Sequence, residues 1–113
     1  MLLHLWWVIP PKLAGMAKPA PEEIPDLKAH GIGAIASVMD DPSNLELYAQ
    51  AGIPHLWLPI KGGTAPTATQ VAELADFVDK HYCLGWATAV HCSSGNRRTG
   101  AMLAAYLMPK PCQ

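Results

Sequence analysis

Residues 86–108 read WATAVHCSSGNRRTGAMLAAYLM. The first part, WATAVHC (86–92), is predicted to be a core strand. The last, RTGAMLAAYLM (98–108), is rich in Ala, Leu and Met and strongly helix-prone, and Pro109 and Pro111 forbid its continuation. The loop joining them, HCSSGNRRTG (91–100), holds one cysteine, two arginines, two glycines and three hydroxyl residues in ten positions. A strand running through such a loop into a helix is the repeating unit of a layered α/β domain.

The upstream sequence follows the same alternation. From Thr67, TATQVAELADFVDKHYCLG sets Val71, Leu74, Ala75, Val78 and Tyr82 at helical spacing, with Thr67 or Thr69 as N-cap and Gly85 as the stop. IPHLWLPI (53–60) is a second core strand, and KGGTAPTATQ after it is loop. IGAIASVM (32–39) is a continuous apolar run without a 3.6-residue period, the mark of a strand buried on both faces. DDPSNLELYAQAG gives a loop and a short helix that starts at Pro42 and Ser43 and stops at Gly52. PEEIPDLKAH (21–30) reads as one helix with Gly31 as its stop. LWWVI (5–9) and KLAG (12–15) read as short strands around Pro10-Pro11. The sum is a single α/β domain over residues 1–113 with a central, mostly parallel β-sheet flanked by helices.

Composition narrows the function classes. A net charge of −1 supplies no global attraction for nucleic acid or acidic membranes, so neither is an expected partner. Three cysteines, an odd number without paired spacing, point to a reducing, cytoplasmic setting and away from a disulfide framework. No CxxC or HxxxH spacing exists, so no metal or other cofactor is expected. The apolar start MLLHLWWVIPPK has no basic leader and no small-residue cleavage site, and is expected to be a buried first strand. No segment reaches transmembrane length.

The loop suits a thiolate nucleophile that binds phosphate. A free cysteine is mostly protonated at neutral pH, whereas a helix N-terminus directly downstream stabilises the anion with its unpaired N–H groups. The same groups can cradle phosphate oxygens. Gly95 lets the backbone wrap closely around a ligand. Arg98 offers a planar fork that matches two phosphate oxygens, and the Thr99 hydroxyl can donate to the sulfur.

His91-Cys92-Ser93-Ser94-Gly95-Asn96-Arg97-Arg98-Thr99-Gly100 fits the HCxxGxxR[ST] signature, and the chain resembles the cysteine-dependent protein tyrosine phosphatase superfamily. WWVIPPKLAGMAKP, GIGAIASVMDDP and HLWLPIKGGTAPT extend the resemblance, in the right order, to the small atypical dual-specificity phosphatases. The resemblance implies that Cys92 attacks phosphorus to form a phosphocysteine and that Arg98 binds phosphate and the transition state. Residues 93–98 (Ser93, Ser94, Gly95, Asn96 and Arg97 before Arg98) would hold the equatorial oxygens. His91 would orient the cysteine by hydrogen bonding, and Thr99 would assist thiolate stability and turnover. Substrates would be phosphorylated proteins or small aryl phosphates, and phosphate, sulfate or vanadate would occupy the loop. For Arg97, solvated surface and substrate contact stand equal.

Two departures from the family pattern stand out. Lys61-Gly62-Gly63 replaces the segment in which relatives carry a general-acid aspartate, leaving Gly62 at the acid position. A missing general acid costs on the order of a hundred- to ten-thousandfold with a poor leaving group. Asp40, and less well Asp41, is the nearest substitute. Relatives also continue beyond the signature helix, so a protein tyrosine phosphatase-like domain lacking the last helices is expected. The apolar face left uncovered would favour a homodimer. A phosphate-binding pseudophosphatase is the main alternative, and a rhodanese- or arsenate-reductase-like protein a weaker one. Outside the loop, Cys83 and Cys112 are expected to be small buried hydrophobes. His4, His30, His55 and His81 are expected in surface or core roles, and Trp6, Trp7, Trp57 and Trp86 in the core.

Overall fold

The computed structural model describes residues 5–39, 42, 44–60, 66–92 and 97–107, without the side chains of Arg97 and Arg98. Five strands form one sheet: β1 (Leu5–Ile9), β2 (Leu13–Met16), β3 (Ile32–Ser37), β4 (His55–Trp57) and β5 (Ala87–His91). Their order is β1-β2-β5-β3-β4. Only β1 runs antiparallel to its neighbour; the β2–β5, β5–β3 and β3–β4 pairs are all parallel. The expected mostly parallel sheet is therefore present, with β5 at its centre and the signature loop leaving that strand.

Helices cover both faces. Side chains from α1 (Asp26–Ala29) and α2 (Leu45–Gln50) close one core with Ile32, Ile35, Ala87 and Ala89. Side chains from α3 (Ala68–Cys83) and α4 (Arg97–Leu107) close the other with Leu13, Ala36, Val90 and Cys92. Strand alternation sorts β5 between these cores: Ala87 and Ala89 face one, Val90 the other. In β3 the alternation is interrupted. Ile32 and Ile35 share a face because the β3–β5 register shifts between Ile32 and Ala34, at Gly33. The shift leaves Gly33 directly beneath the Trp86 side chain, which a Cβ there would strike at its own Cβ and Cγ.

α3 starts as expected at Thr67. The Thr67 hydroxyl accepts from the Gln70 N–H at 3.1 Å, and the Gln70 side-chain oxygen accepts from the Thr67 N–H at 2.9 Å. The same Gln70 amide donates to the Pro59 carbonyl at 2.8 Å, tying the start of α3 to the segment after β4.

Four expectations need correction. Residues 21–30 are not one helix: a 3-10 turn (Pro21–Glu23) and the short α1 are separated at Pro25, which cannot donate a helical hydrogen bond. The inward stripe of α3 is Leu74, Val78 and His81, and Tyr82 is exposed, its ring 5.5 Å from the Lys12 ammonium. Cys83 ends α3 exposed rather than buried. Trp7, Trp57 and Trp86 are each more than one-third exposed: Trp7 and Trp57 lie on the two edge strands, and Trp86 covers a glycine.

Candidate active site

Ligands of parallel sheets bind beyond the carboxyl ends of the strands, where successive connections diverge. Here β3 leads outward to β4, and the chain then returns across β3 to β5. At that edge His91 ends β5, Cys92 follows it, and α4 starts at Arg97. Cys92 and the start of α4 are thus separated by four residues of sequence. Ser93, Ser94, Gly95 and Asn96, and the side chains of Arg97 and Arg98, lie outside the described residues. So do Asp40, Asp41 and Lys61-Gly62-Gly63.

Cys92 is 3% exposed and belongs to the core that Val90 and, from α4, Met102 and Leu103 help to form. Thr99, in the first turn of α4, is fully buried, and its hydroxyl has no partner among the described residues. A buried donor left in this way is costly unless a ligand or sulfur uses it.

His91 faces the opposite core, where its ring stands edge-on to Tyr48 of α2. Its Nε2 lies 2.7 Å from the Tyr48 hydroxyl, and its Nδ1 3.2 Å from the Cys92 carbonyl. The Asn44 amide donates to the Tyr48 hydroxyl at 3.2 Å and to the Pro19 carbonyl at 2.9 Å. Asn44 holds φ of 70°, a left-handed conformation that asparagine tolerates better than most residues. Burial pushes His91 down to about 4, outweighing the opposing hydrogen bond to the Cys92 carbonyl, and pushes Tyr48 up to about 12. Both are therefore neutral near pH 7. Sequence reasoning assigned His91 a hydrogen-bonding role but missed Tyr48 and Asn44. Their only signal is the i, i+4 spacing in SNLELY, which by itself names no partner.

The base of the loop that carries Asp40 is anchored beside this group. Ser37 pairs in register with His91 on one side and Trp57 on the other. Its hydroxyl accepts from the Met39 N–H at 3.4 Å, and the Trp57 indole donates to the Met39 carbonyl at 2.8 Å. No group of three or more potential metal ligands occurs among the described residues.

A buried cysteine at the end of the central strand of a mostly parallel sheet, four residues before the start of a helix, is the arrangement that the signature of the tyrosine and dual-specificity phosphatases leads one to expect. Comparison with known proteins places the chain within that class. Residues 11–111 match the family described as polymorphic toxin system, DSP-PTPase phosphatase, and the chain belongs to it. It is similar to phosphatidylglycerophosphate phosphatase PTPMT2 of Arabidopsis thaliana, 29% identical over 108 residues that cover 91% of this chain and 47% of that one. It also resembles the dual specificity protein phosphatase CDC14B of Mus musculus, 28% identical over 116 residues, covering 90% and 23%. Among solved structures, a mutant form of Tk-PTP superposes with a TM-score of 0.78 at 26% identity, covering 92% of this chain and 70% of that one. PTPMT1 in its complex with PI(5)P shares the fold, with a TM-score of 0.73 at 22% identity, covering 85% of this chain and 67% of that one. The chain spans less than half the length of the two curated relatives named here.

Proposed function

We propose that this chain hydrolyses phosphomonoesters through a phosphocysteine on Cys92, with protein phosphotyrosine as the principal substrate and phosphoserine and phosphothreonine as further ones. The observation that carries the reading is Cys92 buried at the end of β5, four residues before α4 begins. In the first step the Cys92 thiolate attacks phosphorus, the bond to the leaving oxygen breaks, and that oxygen takes up a proton. In the second, water attacks phosphorus, the P–S bond breaks, and inorganic phosphate leaves with the thiolate restored. Arg98 and the loop amides would carry the charge of the equatorial oxygens. The Thr99 hydroxyl, buried without a partner among the described residues, supports this as a donor open to a bound ligand. Asp40 would protonate the leaving oxygen in place of an acid at Gly62.

KGG in place of an acidic segment favours one rival, a phosphate-binding pseudophosphatase with negligible turnover. The two separate on a series of aryl phosphates of graded leaving-group pKa, beside a phosphotyrosine peptide, with wild type and the Asp40→Asn variant. Turnover of the peptide, with Asp40→Asn impaired most on the poorest leaving groups, supports an enzyme using Asp40. Binding without turnover supports the rival. The relatives' names bring in lipid phosphates as well, so phosphatidylglycerophosphate belongs in the panel. Turnover of that lipid with no action on phosphopeptides would replace the protein-substrate reading.

A further inference from the structure

We propose that the domain carries a second ligand site at the end of the sheet opposite Cys92: a cleft between Lys28, His81 and Trp86 that takes a small flat aromatic acid bearing one N–H or O–H donor. The cleft has a volume of about 410 Å3, within the range of about 300–1,000 Å3 usual for small-molecule sites. Its walls come from elements distant in sequence: Lys28 from α1, Gly33 from β3, Pro54 from the turn before β4, His81 from α3 and Trp86 from the approach to β5. Trp86 precedes β5 and Cys92 follows it, so the length of that strand, on the order of 15–20 Å, separates the cleft from the sulfur.

His81 is the polar anchor. It is 5% exposed, and its Nδ1 lies 2.8 Å from the Phe77 carbonyl, one helical turn earlier. A carbonyl can only accept, so Nδ1 carries a proton, and in the neutral ring Nε2 is a bare acceptor. That Nε2 has no hydrogen-bond partner among the described residues. A buried acceptor in this state has lost its water without replacement, and a ligand N–H or O–H would restore the bond. Lys28 stands exposed at the mouth and makes no ion pair among the described residues, where Lys12 is the lysine paired with an acid, Asp79. Its ammonium has three donors and is open to an anion.

Trp86 supplies the flat surface. The root of its side chain lies against the bare backbone of Gly33, and the residue is 37% exposed, so the outer indole is open to a stacked ring. The three groups together select the ligand class. A simple anion would pair with Lys28 but set its own lone pairs against Nε2. An apolar ring would cover Trp86 and leave both polar groups without partners. A flat ring with a donor and an anionic group meets all three needs. Binding there involves no residue of the signature loop, so it stands whether or not Cys92 turns over phosphate.

The test is a matched probe series followed by the 15N–1H signal of the Trp86 indole, which is assigned by its loss in Trp86→Phe. The probe 4-hydroxybenzoate has the ring, the donor and the anion. Benzoate lacks the donor, 4-hydroxybenzyl alcohol lacks the anion, and trans-4-hydroxycyclohexanecarboxylate lacks the flat ring. The first is expected to move the Trp86 signal saturably, with Kd on the order of 1 mM, and each of the others to bind about tenfold more weakly. Lys28→Met, with an unchanged melting temperature, should weaken 4-hydroxybenzoate about tenfold, and saturating inorganic phosphate should leave its binding unchanged. A Trp86 signal that does not respond overturns the proposal, as does equal binding of all four probes. Displacement by phosphate also overturns it, because the ligand would then sit in the signature loop. The series on wild type decides even if Lys28→Met does not fold, and it reads binding alone, so a failed phosphatase assay leaves it intact.

Discussion

His91 makes the stability of this protein depend on pH in a calculable way. Its ring is fully buried, and burial lowers it from an ordinary 6.5 to about 4. In the unfolded chain the imidazole takes up a proton near its ordinary value, whereas in the folded chain it resists. The unfolded state therefore binds more protons between the two values, and the stability that neutral His91 contributes is complete above 6.5 and lost as pH falls toward about 4. A gap of about 2.5 units at about 1.4 kcal/mol each amounts to about 3 kcal/mol in full. Between about pH 7.5 and about pH 5, linkage with these values gives a loss of about 2 kcal/mol. Urea denaturation across that window, on wild type and His91→Asn, isolates the effect because the difference between the two curves removes the other titrating groups. The wild-type curve should fall about 2 kcal/mol further than the variant's. Parallel curves would refute the reasoning, since they would mean that His91 accepts a proton as readily folded as unfolded.

Other perturbations follow from packing. Thr88 in β5 is fully buried, and its hydroxyl has no partner among the described residues. Thr88→Val keeps the shape and removes the unpaired group, so it should raise stability by about 1 kcal/mol with activity unchanged, read as a higher melting temperature. Gly33→Ala should destabilise by about 2 kcal/mol, because its Cβ would meet the root of the Trp86 side chain, which cannot swing clear. Gly15→Ala should cost less by the same urea assay, because its Cβ would meet the outer ring atoms of Trp6, 2.5 Å away, and that ring is free to pivot.

The fold was legible wherever local pattern and tertiary environment agree. IGAIASVM is apolar but for Ser37 because β3 is covered on both faces, and Thr67 with Gln70 marks the start of α3 by reciprocal capping. Legibility failed where a third element decides. Tyr82 fits a helical stripe as well as His81 does, and only the position of Lys12 and the sheet shows which turns inward. Trp86 looks like a core residue until the register shift at Gly33 makes it a cover over a bare backbone. At the site, Cys92 and Thr99 could be found from spacing in one loop. Tyr48 could not, because it reaches His91 across 43 positions of sequence and through the alternation of β5.

The central claim is that phosphate passes through Cys92. Wild type mixed with a good-leaving-group aryl phosphate, quenched in acid within one turnover and digested, should yield a phosphate adduct on the peptide that holds Cys92. The Cys92→Ser variant, still folded, should yield neither that adduct nor turnover. Turnover retained in Cys92→Ser, or an adduct mapped to another residue in wild type, would contradict the account.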